Sequence, residues 1–453
     1  MLEVVEMAMT GLQIFKLLPK KNCRECGFPT CLAFAMQLAQ KKVELSKCPY
    51  VSEEAKRILE AESAPPQRLV TIGAGEKAVK IGEEQVMFRH DDKFYHETAI
   101  AVRVFDDVDG EEFKQRLEKI KKLNWERIGF QIGVNLVAVE CRSGDGARFA
   151  ECAKSAHQAT GLPLLLIGGV DEVKTAAEAV KETNPLLCSA NADNWEQMAQ
   201  VAKSCKCPLA VEAESPEALA ELTEKIKGAG VEDLVLRVQT NGDILKQVEA
   251  QTIIRRAALK KTFRPLGYPT LAFAFDDDPH QEATIASILV CKYAGVVVTD
   301  LAEPHFVLPI LVARQNIYTN PQKPIAVEQK LYPVGEPNDK SPLMFTTNFS
   351  LTYFSVQSEV EASRVPSWIL AVDTEGLSVL TAYSGDKLNA KVVADALKKT
   401  EAEKVVSHRK IIIPGLVAVM SGELEEETGW QVVVGPKEAA YLPKFLKETW
   451  TPD

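Results

Sequence analysis

The residues best placed to do chemistry stand near the amino terminus, as Cys23-x2-Cys26-x4-Cys31-x16-Cys48-Pro49. Three of these thiols share the short run NCRECGFPTC. The fourth returns after a predicted helix over residues 32–43, where Leu32, Ala35, Met36 and Ala39 recur at helical spacing. A cubane cluster needs four thiolates converging from different directions, and a loop plus one returning residue supplies them. Gly27 lets the backbone approach inorganic sulfide and can take positive φ, while Pro29 stiffens the loop. The pattern points to a [4Fe–4S] cluster on Cys23, Cys26, Cys31 and Cys48. Structural zinc and free thiols are the alternatives. Zinc sites usually pair two Cys-x2-Cys units or mix Cys with His. Here there is one such unit, and no His precedes His90. The order also differs from the Cys-x3-Cys-x2-Cys of radical enzymes that cleave S-adenosylmethionine. Four ligands leave no open iron, so electron transfer is the expected role.

The chain around this motif has 453 residues, 46% hydrophobic and 26% charged, with a net charge of −10. That is a folded, acidic protein, and an acidic surface repels phosphate backbones, which argues against nucleic acid as a partner. Apolar runs such as Leu162–Ile167 and Val296–Val298 are far shorter than the ~20 residues that cross a bilayer. Glu3 and Glu6 precede any basic residue, unlike a signal peptide. The expectation is a soluble, cytoplasmic protein with no membrane partner. In a reducing compartment Cys141, Cys152, Cys188 and Cys291 read as small hydrophobes, and Cys205 and Cys207 as core or surface thiols.

Proline-rich stretches divide the chain. The boundaries drawn are a cluster domain over 1–58, a connector over 59–96, a middle domain over 97–318, a connector over 319–342 and a C-terminal domain over 343–453. The first connector holds Ser63-Ala64-Pro65-Pro66; the second holds Pro321, Pro324, Pro333, Pro337 and Pro342. Within the first, Gly73-Ala74-Gly75-Glu76-Lys77-Ala78 imitates a dinucleotide fingerprint but lacks the long following helix, so a β-hairpin is expected. The middle domain alternates β-type runs, at 99–105, 136–142, 163–169, 186–191, 208–214, 233–239, 269–275 and 295–300, with amphipathic helical segments. Eight such units in about 220 residues predict a (β/α)8 TIM barrel, with a doubly wound open sheet as the alternative. The C-terminal order predicts a flavodoxin-like α/β domain: strands at 368–372 and 378–382, helix 390–399, strand 410–413, helix 417–428, strand 430–434 and helix 438–447. The fold class is thus α/β and multidomain. Gly415 and Gly435-Pro436 follow strands, at the carboxyl ends where open α/β sheets bind ligands.

The segment LPKKNCRECGFPTCLAFAMQLA, then a barrel, then an α/β domain carrying WILAVDTEGLSVLTAYSGDK, resembles the large (gamma) subunits of corrinoid iron–sulfur proteins of the reductive acetyl-CoA (Wood–Ljungdahl) pathway. The likeness spans the whole chain, and the three-block order carries it. It implies a methyl carrier rather than an enzyme in its own right. A cobamide as Co(I) takes a methyl group from methyltetrahydrofolate through a separate methyltransferase. It then donates the methyl to acetyl-CoA synthase, in a system with CO dehydrogenase. The [4Fe–4S] cluster would reduce Co(II) back to Co(I). The resemblance also implies a heterodimer with a smaller subunit, and a base-off cobamide on the C-terminal domain with no protein ligand to cobalt.

The sequence agrees with that last point. The nearest match to Asp-x-His-x-x-Gly is Asp278-Pro279-His280-Gln281-Glu282-Ala283, with Ala in place of Gly, and it lies in the barrel as a loop or helix start. His408 precedes a strand and reads as a surface residue. Candidate corrin contacts are Thr346, Thr347 and Asn348, which can bond amide arms; the loop Asp373, Thr374, Glu375, Gly376 and Leu377; and Gly435 with Pro436. Ordinary turn chemistry is the competing account of each. Two other functions stay open: a corrinoid methyltransferase binding methyl-pterin in its own barrel, and an electron-transfer subunit without cobamide.

Overall fold

A computed structural model describes residues 10–39, 42–52, 54–56, 59, 65–320 and 324–450. The readings that rest on Glu3, Glu6, Ser63, Ala64 and Pro321 lie outside these residues. The chain divides into two compact units, one of residues 1–125 and 132–318, the other of 126–131 and 319–453.

In the first unit, helices Gly11–Leu17 and Cys31–Ala39 pack together near the amino terminus. The first opens with a reciprocal capping box between Thr10 and Gln13. Ile14, Leu18, Cys31, Phe34, Ala35 and Leu59 form their small core. Strands β1 (Leu69–Ile72) and β2 (Val79–Gly82) make the expected hairpin. It lies within the stretch read as a connector, yet Val70, Ile72 and Ile81 are buried in the barrel interior.

The barrel strands are β3 (Ala99–Phe105), β6 (Leu136–Glu140), β7 (Leu164–Ile167), β8 (Leu186–Ala190), β9 (Leu209–Ala213), β10 (Leu234–Val238), β11 (Leu271–Phe273) and β12 (Val296–Thr299). They pair in parallel in the order β10-β9-β8-β7-β6-β3-β12-β11, and a bridge from Leu236 to Thr270 nearly closes the ring. The open-sheet alternative is thereby set aside. Side chains alternate between two cores. Ala99, Ala101, Leu136, Ala138, Leu165 and Val235 point inward, whereas Ile100, Val102, Val137, Leu164 and Leu236 meet the surrounding helices. Burial on both faces is why these strands read as unbroken apolar runs. Each fully buried Leu or Ile contributes about 1.5–3 kcal/mol. Of helix Pro279–Cys291 only the start was offered, beside a loop, and helix Pro304–Tyr318 escaped the sequence reading. So did a hairpin of β4 (Asn124–Arg127) and β5 (Phe130–Gly133).

The second unit holds β13 (Leu331–Val334), β14 (Leu343–Thr347), β15 (Ser367–Val372), β16 (Lys410–Ile413) and β17 (Gln431–Val434), in the order β13-β15-β14-β16-β17. The last four are mutually parallel, and β13 joins antiparallel at one edge. An edge tolerates Pro333, which cannot donate to a ladder. Leu343, Phe345, Leu370 and Ile411 face one layer of helices, and Met344, Ile369, Ala371 and Ile412 face the other. Both β13 and β14 went unread in the sequence. Residues 378–382, expected as a strand, instead begin the helix Val379–Ser384. The run is too short for periodicity to separate the two states. Packing decides it: Val379 and Ala382, three residues apart, are buried, while Leu380 is exposed.

Candidate functional site

The four N-terminal cysteines share one neighbourhood. Cys31 is buried at the start of its helix, where the Thr30 hydroxyl accepts the Ala33 N–H at 3.1 Å. Cys26 and Cys48 pack against the same small core, and Cys23 is exposed. Asn22 fastens the loop to the helix. Its Oδ1 accepts the Cys31 N–H at 2.7 Å, and its own N–H donates to the Cys31 sulfur at 3.4 Å. Left-handed backbone at Asn22, Arg24 and Gly27 turns the loop around these sulfurs. Burial holds the Cys48 thiol above its ordinary value. The Tyr50 backbone N–H opposes this, and charge on Cys26, Cys31 and Cys23 adds to it. Four thiols within reach of one another's fields, with a backbone N–H donated to sulfur, fit the donor set of an iron–sulfur cluster. Among the described residues, no three His, Cys, Asp or Glu side chains are arranged about a single-ion position.

The other six thiols are placed in the barrel. Cys188 lies in its interior, and burial pushes its thiol up to about 12. Burial does the same for Cys207, also to about 12, and Cys205 is buried beside it. Cys141, Cys152 and Cys291 are half-buried.

In the second unit a cleft of about 590 Å3 opens at the carboxyl ends of β14, β16 and β17. Phe345, Thr346, Ile413, Leu416, Gly435 and Pro436 line it, among others. Chain order reverses here: β15 lies on one side of β14 and β16 on the other, which leaves a crevice between diverging connections. Gly415 and Gly435 let the two flanking loops touch. A Cβ on Gly415 would stand 2.5 Å from the Gly435 carbonyl oxygen. Thr346 and Thr347 are buried, and neither hydroxyl has a hydrogen-bond partner. Leaving a buried hydroxyl unpaired costs about 1–3 kcal/mol, so a partner for the Thr346 hydroxyl is expected from a ligand. Leu351, Leu380, Leu416, Val419, Val434 and Tyr441 are exposed on the lining segments or their chain neighbours. Apolar walls with the orphaned Thr346 hydroxyl suit the face and a polar arm of a large macrocycle; Thr347, the next residue along β14, points to the other face of the sheet and is not in the lining.

The remaining predicted contacts divide differently. Gly435 and Pro436 share the cleft with Thr346. Asn348 does not offer its side chain outward. Its Oδ1 accepts from the Thr374 N–H at 3.1 Å, the Thr374 hydroxyl at 3.2 Å and the Gly376 N–H at 3.1 Å, while its Nδ2 donates to Asp373 at 3.0 Å. Asp373 also accepts the Glu375 N–H, and Glu375 is ion-paired to Lys387 at 2.5 Å. Gly376, at φ +76°, backs onto Pro324, and Leu377 packs against the sheet core. Asn348 is therefore the organiser of the Asp373–Leu377 loop. Val379, Thr352 and Leu416 line the cleft and went unnoticed in the sequence. Val379 was hidden by the helix misread as a strand.

The barrel mouth, where such folds carry their active sites, is crossed by paired charges. Arg103 bonds Asp300 at 2.8 Å and Glu140 at 2.7 Å and lies over the Phe275 ring. Arg237 and Gln239 both bond Glu212, and Arg237 lies over Phe273. The Asp278 carboxylate caps the helix Pro279–Cys291 by accepting the His280 N–H, so that near match is a helix start, as expected. Both ring nitrogens of His408 are engaged, one with the Ser341 carbonyl and one with the Lys410 N–H.

A family model described as CO dehydrogenase/acetyl-CoA synthase delta subunit matches residues 69–446. Another, for an Fe–S cluster segment, matches residues 18–50. The chain is 46% identical to the corrinoid/iron–sulfur protein large subunit of Moorella thermoacetica, over 97% of this chain and 99% of that one. It is 34% identical to the acetyl-CoA decarbonylase/synthase complex subunit gamma of Methanopyrus kandleri, over 97% and 98%. The chain belongs to the corrinoid/iron–sulfur protein large-subunit family. The delta-subunit model begins at the barrel hairpin and so leaves out the cysteine segment, whereas these large and gamma subunits match along nearly their full length. Among solved structures, a dihydropteroate synthase from Coxiella burnetii covers 56% of this chain at 10% identity and a TM-score of 0.40. No described helix is long and apolar enough to cross a membrane.

Proposed function

We propose that this large-subunit family member is a methyl-group carrier, with a flavodoxin-like C-terminal unit that binds a cobamide and an N-terminal segment that holds a [4Fe–4S] cluster. The observation that carries the reading is the buried, unpartnered hydroxyl of Thr346 in the wall of an apolar strand-end cleft. When bound, the cobamide supplies a nucleophilic cobalt that takes up and releases methyl, and the cluster supplies single electrons. The protein does the rest. Thr346 would hydrogen-bond a polar arm; Gly415 and Gly435 let the two loops of the cleft wall pack on each other; Leu416 and Val379 would exclude water from the macrocycle's face. His408, the one histidine in the sequence of this unit, is engaged through both nitrogens and so is not offered to a metal. Cys23, Cys26, Cys31 and Cys48 hold the cluster.

The partners that follow are a small subunit, a methyltetrahydrofolate methyltransferase, and acetyl-CoA synthase with CO dehydrogenase, all in the cytoplasm. Absorption and EPR spectra of the purified heterodimer test the reading. A corrinoid band with a [4Fe–4S] signal is the expected result, and lack of the band in a correctly assembled heterodimer would refute it. Methyl uptake from methyltetrahydrofolate with no added methyltransferase would instead make the barrel the methyltransferase. The paired charges across its mouth speak against that outcome.

A further inference from the structure

Charge is unevenly distributed along this acidic chain. Residues 10–50 carry seven lysines and arginines against two glutamates, a net +5 in a protein of net −10. Six of those cations, Lys16, Lys20, Lys21, Arg24, Lys42 and Lys47, are exposed. None of the six is ion-paired among the described residues. The two glutamates turn to hydroxyls instead: Glu25 accepts the Tyr50 O–H at 2.8 Å, and Glu44 accepts the Ser46 O–H at 3.2 Å. Lys21 lies over the Tyr50 ring at 4.0 Å, which holds one cation close to the loop of cysteines. Lys21 and Arg24 stand within two residues of Cys23, the one exposed thiol of the four, and Lys47 adjoins Cys48. Lys21, Arg24 and Lys47, beside the cysteines in sequence and without an ion pair among the described residues, would draw a negatively charged partner toward this site and orient it there.

We propose that this site is the docking face for an acidic electron-carrier protein, and that the carrier delivers one electron to the cluster through the edge marked by Cys23. The carrier is oxidised by one electron as the cluster is reduced by one. The inference rests on the four cysteines being the cluster ligands, and it adds the surface, its sign and the class of partner.

The test is rapid-mixing reduction of the intact heterodimer by a reduced acidic bacterial ferredoxin. The rate constant should fall at least tenfold as ionic strength rises from about 0.02 to about 0.3 M, because the screening length shortens through that range. The variant Lys20→Glu/Lys21→Glu/Arg24→Glu should lose at least tenfold in rate at low salt, and its salt dependence should flatten or reverse. The control Lys398→Glu/Lys399→Glu, exposed on the helix Ala390–Lys399 of the other unit, should behave as wild type. Zero-length crosslinking should join ferredoxin carboxylates to Lys20 or Lys21, a readout that needs no electron transfer. The EPR signal of each variant after reduction by a small viologen reports whether its cluster is intact. A salt-insensitive wild-type rate, or wild-type behaviour in a triple variant with an intact signal, would overturn the docking face. Absence of any cluster signal from wild type would overturn the ligand reading beneath it.

Discussion

At the scale of single residues, the two candidate centres differ in what a substitution should do. Cys26→Ala should remove the cluster signal and lower bound iron. It should spare the corrinoid band and methyl transfer from an already reduced cobamide, while blocking reductive reactivation; unchanged reactivation would contradict the cluster's role. Thr346→Val should act in opposite directions on stability and binding. No hydrogen bond of the free protein is lost, so its thermal stability should hold or rise. The ligand's partner is removed, so cobamide affinity should fall about five- to tenfold, or ~1–1.5 kcal/mol. Titration calorimetry on the apoprotein measures the second, and a thermal melt the first. The spacing of Cys23, Cys26, Cys31 and Cys48 could be read as a candidate ligand set, because such a motif is local in sequence, and the structure brings the four into one neighbourhood. That Thr346 would be orphaned and Asn348 satisfied could not, because both facts depend on which backbone groups arrive from β15.

At the scale of elements, two loops are held by one side chain each. Asn348→Ala would strand the Thr374 and Gly376 N–H groups that its Oδ1 accepts, while the Thr374 hydroxyl keeps the Leu377 carbonyl at 2.9 Å. It should destabilise the second unit by about 2–3 kcal/mol, measurable by chemical denaturation. In the barrel, burial pushes the Asp106 carboxyl up, but donors outweigh it: the Ser143 hydroxyl, the N–H groups of Arg142 and Ser143, and the Cys141 thiol. Its folded value therefore lies below the ordinary carboxylate range. The sign follows: this stabilisation is fully present above the unfolded value near 4 and is lost as pH falls below it through the folded value. Asp106→Asn should flatten the decline in barrel stability below about pH 4, as followed by circular dichroism. The eight barrel strands could be read from the sequence because burial on both faces makes them continuous apolar runs. The helix Val379–Ser384 could not, since six residues carry too little periodicity.

At the scale of the whole molecule, two compact units with separate cores should not respond alike to a ligand held by one of them. Scanning calorimetry of the apoprotein should resolve a transition for the second unit. Cobamide at 100 times its dissociation constant should stabilise that transition by about 2.7 kcal/mol and leave the barrel's in place. A shift confined to the barrel would place the ligand there instead. The stretches that proline density marks as connectors hold structure of their own. The hairpin of β1 and β2 fills the barrel interior, and β13 extends the C-terminal sheet.

The sequence by itself determined the barrel and marked four thiols as candidate ligands. Each is written locally, in short spacings or in a repeat that recurs every few tens of residues. Only the tertiary structure decided where the cleft opens, which hydroxyls lack partners and which predicted contacts are consumed in organising a loop. Those properties arise where strands far apart in sequence end side by side. A residue's own neighbours in the chain do not say which distant backbone will satisfy it.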